Sequence, residues 1–116
     1  MTGMTDVLQA GAARQEITPP VGVPTGGGSP DGYRLTESVL DPLFVRALAV
    51  KSGGKNILLL QADLLGLSRV KTGTIAAAIE RRTGIPSQEV IITCPQSHNS
   101  GCTFNRDFPD AVLTEF

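Results

Sequence analysis

Between Leu43 and Cys94 the chain presents two apolar runs, a helical stretch and a third apolar run, an order that few architectures accept. The first run, Leu43–Lys51 (LFVRALAVK), is interrupted by the charge of Arg46 and otherwise reads as a strand covered on both faces. Ser52-Gly53-Gly54-Lys55 offers a Gly-Gly turn, and Asn56–Ala62 (NILLLQA) supplies a second buried strand, so the pair is expected to form an antiparallel hairpin. Ser68 is placed to cap a helix over Arg69–Thr83, although Lys71 stands where a capping box wants Glu or Gln. Ile75, Ala78 and Ile79 give that helix an apolar face, Gly84 suits a left-handed C′ position, and Pro86 forbids continuation. Glu89–Cys94 (EVIITC) is the third strand. Strand, helix and strand at this spacing make a βαβ unit with a right-handed crossover and parallel strands. The expected class is therefore α/β: a mixed sheet in which an antiparallel hairpin is followed by a right-handed βαβ unit.

Outside that core the composition changes. In the segment 18–34, Pro19, Pro20, Pro24 and Pro30 fix the backbone while Gly26, Gly27 and Gly28 loosen it, so neither helix nor sheet propagates. A loop of this length is either a binding segment or a flexible surface connection. With 116 residues the chain holds one domain at most, divided into the loop 18–34, the ββαβ core 43–94, and a loop and tail 95–116. A hydrophobic share of 41% against 18% charged excludes wholesale disorder. The net charge is -1 and the 10 basic residues are scattered, which argues against a nucleic-acid partner. The longest apolar runs, Ile57–Leu60 and Val90–Ile92, are far shorter than the roughly 20 residues of a transmembrane helix. Met1–Glu16 has neither the basic start nor the apolar stretch of a secretory signal, and two cysteines do not make a disulfide framework. A cytoplasmic setting is the expectation.

Ligands of open α/β sheets sit beyond the carboxyl ends of the strands. Here those positions hold Asp63 after the second run and Gln96-Ser97-His98-Asn99-Ser100 after the third. His98, the only histidine, has the chemistry of a metal ligand or proton carrier, and equally that of a hydrogen-bonded surface residue. Cys94, His98 and Cys102 are evenly spaced donors for zinc, but not in one of the usual finger patterns. Cys94 reads as well as a small buried hydrophobe. Ser97 and Ser100 lack the Gly-x-Ser-x-Gly surroundings of a serine nucleophile. Asp63 suits the orientation of an imidazole or the support of a bound metal through its ligands, and equally the acceptance of backbone N–H groups at the start of the following turn.

Several segments together carry a family resemblance. Ala10–Gly22 (AGAARQEITPPVG), Asp31-Gly32-Tyr33, Leu40–Ala49 (LDPLFVRALA), Leu58–Gly66 (LLLQADLLG) and Val90–Gly101 (VIITCPQSHNSG) resemble, in this order, the amino-terminal part of the neutral/alkaline non-lysosomal ceramidase family. Members of that family are zinc-dependent amidohydrolases that cleave the N-acyl bond of ceramide. The resemblance implies a metal that activates water, lowering its pKa to about 7, and polarises the amide carbonyl. The family's His-x-His-Ser-Gly-type stretch corresponds to Ser97-His98-Asn99-Ser100-Gly101. Placing His98 on the first histidine needs a one-residue slip, whereas an ungapped match puts Ser97 and Asn99 on the two histidines. The slipped match keeps the imidazole that a metal needs.

By the same resemblance the remaining ligands, a further histidine with Glu and Tyr residues, lie beyond Phe116. The chain then corresponds to a partial catalytic domain, completed by further sequence or by a second polypeptide. Asp110–Glu115 (DAVLTE), which looks like the opening of a helix, fits that incompleteness. The implied roles are His98 as zinc ligand or proton carrier, Asn99 and Ser100 orienting water or the carbonyl, and Asp63 supporting the loop. Gly32, Tyr33 and Arg46 would contact a small amide or lipid amide substrate, although Tyr33 suits the capping of the core edge and Arg46 a reach to water equally well. The alternative is a noncatalytic subunit that completes a partner's fold.

Overall fold

The structure, a computed structural model, describes residues 6–26 and 34–101. It contains strands β1 (Gln9–Glu16), β2 (Phe44–Ser52) and β3 (Lys55–Ala62), helix α1 (Arg69–Thr83), and strand β4 (Val90–Thr93) preceded by the 3-10 turn Ser87–Glu89. The strands form one sheet in the order β1-β2-β3-β4. β1, β2 and β3 pair antiparallel, and β4 lies parallel to β3. The fold is α/β, with a mixed sheet and one α-helix among the described residues.

The local signals act as their stereochemistry requires. Gly53 and Gly54 take φ values of 55° and 76°, the two positive angles that a two-residue hairpin turn of the favoured hand demands. The Ser68 hydroxyl oxygen accepts the Lys71 N–H at 3.3 Å and starts α1. Gly84 ends it at φ 75°, donating its N–H to the Glu80 carbonyl at 2.9 Å. Arg81 and Arg82 lie in the last turn, where positive charge suits the helix dipole.

A second tie follows the helix. The Glu80 carboxylate accepts the Ser87 N–H at 3.0 Å and also the Ser87 hydroxyl. The Ser87 side-chain and backbone bonds hold the Glu80 carboxyl below its usual range. A lowered folded value means that this tie stabilises the fold above the ordinary carboxylate pKa of about 4.3 and is lost as the pH falls through the lowered value. Glu80→Gln is therefore expected to lower the urea midpoint at about pH 6, with the gap from the parent narrowing toward about pH 3. An equal gap at both values would show that the carboxylate contributes nothing through its charge.

β1 was not expected as a strand. Its sequence, QAGAARQE, has neither β-branched residues nor apolar alternation, and all of its residues are exposed. It forms because β2 presents a free ladder of backbone donors and acceptors, which β1 pairs from Gln9↔Lys51 to Glu16↔Phe44.

The expectation that the strands are covered on both faces is corrected. Along β3, Leu58 and Ala62 are buried on one face while Ile57 and Leu59 remain 49% and 39% exposed on the other. The register sets Leu48 and Ile91, 41% and 48% exposed, on either side of Leu59, so an apolar row crosses the open face. A near-continuous apolar run shows that a strand is apolar, but the number of layers above it is a property of the rest of the fold. Among the described residues, the buried apolar side chains are Leu58 and Ala62 of β3 and Ala76 of α1. Past the helix, Ile85 faces Gly11, Ala49, Lys51 and Asn56 around a cavity of about 210 Å³.

The Pro/Gly-rich segment is tied where it is described. Gly22 N–H donates to Thr36 O, Thr36 N–H to Val23 O, and Thr25 N–H to Arg34 O, each at 2.8 Å. Isolated bridges join Pro24 to Leu35 and Thr25 to Gly101. Among the described residues, no helix is long and apolar enough to cross a membrane.

Candidate functional site

Because β3 and β4 are parallel, the loops leaving them emerge at one edge of the sheet, where β1 also ends and β2 begins. The loop after β4 reverses at Gln96, a non-glycine residue at φ 63°. That left-handed conformation costs about 1–2 kcal/mol for a residue with a Cβ, so surrounding bonds must hold it. They are present. The Ser97 N–H donates to Leu64 O at 3.1 Å. The Ser100 hydroxyl donates to Ser97 O at 2.9 Å and accepts the Leu65 N–H at 3.1 Å. Gly26 N–H donates to Ser100 O at 2.6 Å.

Ser100 thus joins the loop after β4, the loop after β3 and the Pro/Gly-rich segment, and it is fully buried. Its hydroxyl is engaged with two backbone groups, which makes it a positioning residue for the turn it closes. That turn carries His98 and Asn99 on its exposed side. The His98 ring makes no hydrogen bond or ion pair among the described residues.

Asp63 is turned toward β2. Its Oδ2 accepts the Phe44 N–H at 2.9 Å, while Arg46 Nη1 lies 2.8 Å from Oδ1 and 2.9 Å from Oδ2. Asp63 does accept a backbone N–H, but from Phe44 across the sheet and not from the start of the turn that follows it. Arg46 is exposed and sits over the Phe44 ring, its Cζ 5.4 Å from the centroid. Arg14 lies over the same ring at 4.9 Å. The sequence reading had no means of finding Arg14 or Phe44, because their meeting depends on the register of a strand that local pattern does not reveal.

Gly32 and Tyr33 lie outside the described residues, as do Cys102 and the stretch 110–115. Cys94 is half-buried, and burial pushes its thiol pKa up, as expected of a small apolar side chain. No group of three or more His, Cys, Asp or Glu side chains among the described residues is placed to hold a metal ion.

The sequence matches no known protein-family model and no curated protein.

Proposed function

We propose that this chain forms part of a metal-dependent amide hydrolase, with His98 as a metal ligand or proton carrier at the carboxyl edge of the sheet. The observation that carries the reading is the pinned turn. The fully buried Ser100 and the strained Gln96 fix a loop whose solvent-facing side holds the one imidazole of the chain. Such a loop after a parallel strand is where α/β sheets place their chemistry. Asn99 beside it offers an amide to orient a water or a carbonyl, and Arg46 offers a cation to a substrate. The substrate class is a small amide or lipid amide, and the setting is cytoplasmic.

Zinc needs about three protein donors at a catalytic site, and the described residues do not by themselves supply them. In this reading the remaining donors come from further sequence or from a partner polypeptide. The test is to recover the chain together with any longer polypeptide that copurifies, and to measure zinc and N-acyl amide hydrolysis. Stoichiometric zinc and hydrolysis, both lost in His98→Ala while the complex stays assembled, are the expected results. Zinc content unchanged in that variant overturns the ligand role, and hydrolysis unchanged overturns the catalytic one.

A second reading is a noncatalytic subunit that completes a partner's fold. The open apolar row of Leu48, Leu59 and Ile91 favours it, since an apolar sheet face gains stability when another layer covers it. A complex that contains neither zinc nor hydrolytic activity supports this reading.

A further inference from the structure

We propose that Arg14 and Arg46, seated together on the Phe44 ring, bind the oxyanion of a small ligand, a carboxylate or a phosphate group. The register sets Arg14 directly opposite Arg46, and the pleat puts both with Phe44 on the open face of the sheet. Side chains so paired start about 4.5–5.5 Å apart at Cβ, and like charges in that position repel. Here both guanidinium groups also converge on one ring, at 4.9 Å and 5.4 Å from its centroid.

The counter-charge on the sheet meets one arginine only. Asp63 pairs with Arg46 through Nη1 and spends Oδ2 on the Phe44 N–H as well. Glu16, opposite Phe44 in the register, accepts the Thr18 hydroxyl at 2.7 Å and makes no ion pair among the described residues. Arg14 has no ion pair among the described residues. The full fork of Arg14 and the donors of Arg46 other than Nη1 therefore remain for an anion, which would also relieve the repulsion between the two cations. A guanidinium fork matches a carboxylate or phosphate with paired N–H donors, and the ring beneath keeps water from one side of it. The cluster stands at the same end of the sheet as the His98 turn. It shares Arg46 with the proposed substrate site, but it is tested by binding alone, so its failure is distinguishable from a failure of the hydrolase reading.

The test is a titration of the isotopically labelled full chain, following the arginine Nε–H signals by NMR. Sodium acetate and sodium phosphate are the probes, with sodium chloride at matched ionic strength as the control. Saturable shifts of the Arg14 and Arg46 signals with acetate or phosphate, absent with chloride, are the expected result. Saturation by acetate assigns the carboxylate and saturation by phosphate assigns the phosphate. Arg14→Gln is expected to weaken binding about tenfold with its backbone amide spectrum retained, while Arg34→Gln leaves it unchanged. Arg14→Lys keeps the charge and loses the fork, so it weakens acetate more than phosphate. Shifts that fail to saturate, that equal those with chloride, or that persist undiminished in Arg14→Gln overturn the proposal.

Discussion

Leu58→Ala is expected to destabilise the fold by about 2–4 kcal/mol, the usual range for deleting a buried leucine that its surroundings cannot replace. Among the described residues, Leu58 is the largest buried apolar side chain, the others being Ala62 and Ala76. Its direct cross-strand neighbour in β2 is Ala49. Alanines have no methylene groups with which to fill the space a truncated Leu58 would leave. The comparison that makes the measurement specific is Leu59→Ala, one residue further along β3 on the open face. That change is expected to cost less than about 1 kcal/mol, since much of the Leu59 side chain already meets solvent. Urea unfolding of the two variants reads the difference. Equal losses would mean that the open face is covered in solution, as the subunit reading requires.

Ser100→Ala is expected to cost about 1–3 kcal/mol, because it removes the acceptor of a part-buried N–H as well as a donor. The Leu65 N–H loses its partner and the Ser97 carbonyl loses the hydroxyl that it accepts. The effect should be local before it is global. Hydrogen exchange at Leu65 and Gly26 is expected to accelerate well beyond exchange in β2 and β3, as the turn carrying His98 separates from the sheet edge. Exchange at Leu65 that is no faster in the variant would show that the hydroxyl does not hold the loop.

The features legible in the sequence are those fixed by stereochemistry over a few residues. Ser68, Gly84 and the Gly53-Gly54 pair each impose a local conformation, so they place the start and end of α1 and the hairpin turn without reference to anything distant. The boundaries of the strands follow less closely. Glu89 belongs to the 3-10 turn and Cys94 lies past the end of β4, since the pairing of that strand stops at Thr93 opposite Gln61. β1 is not legible because Gln9–Glu16 becomes a strand by adding to an edge, and its own residues carry no signal of that partner.

The candidate site divides along the same line. The edge that holds Asp63 and the residues 96–100 follows from the topology, because parallel strands bring their exits together. What each side chain does there is settled by contacts between segments remote in sequence. Asp63 grips Arg46 and the Phe44 amide, and Ser100 reaches Leu65, while spacing alone left each of these with several roles. Arg14 depended on two unknowns at once, the existence of β1 and its register, and so stayed outside the reading.

The bridge between Thr25 and Gly101 has a consequence for how the molecule is assembled. The β2–β3 hairpin is made of contacts close in sequence, and these cost little in loop closure. The turn bearing His98, by contrast, is bolted to Thr25 and Gly26, which precede the whole β2-to-β4 sheet in sequence. During vectorial synthesis that joint can close only after the strands of the sheet have emerged, so a nascent chain halted before residue 100 would hold the sheet without the pinned turn.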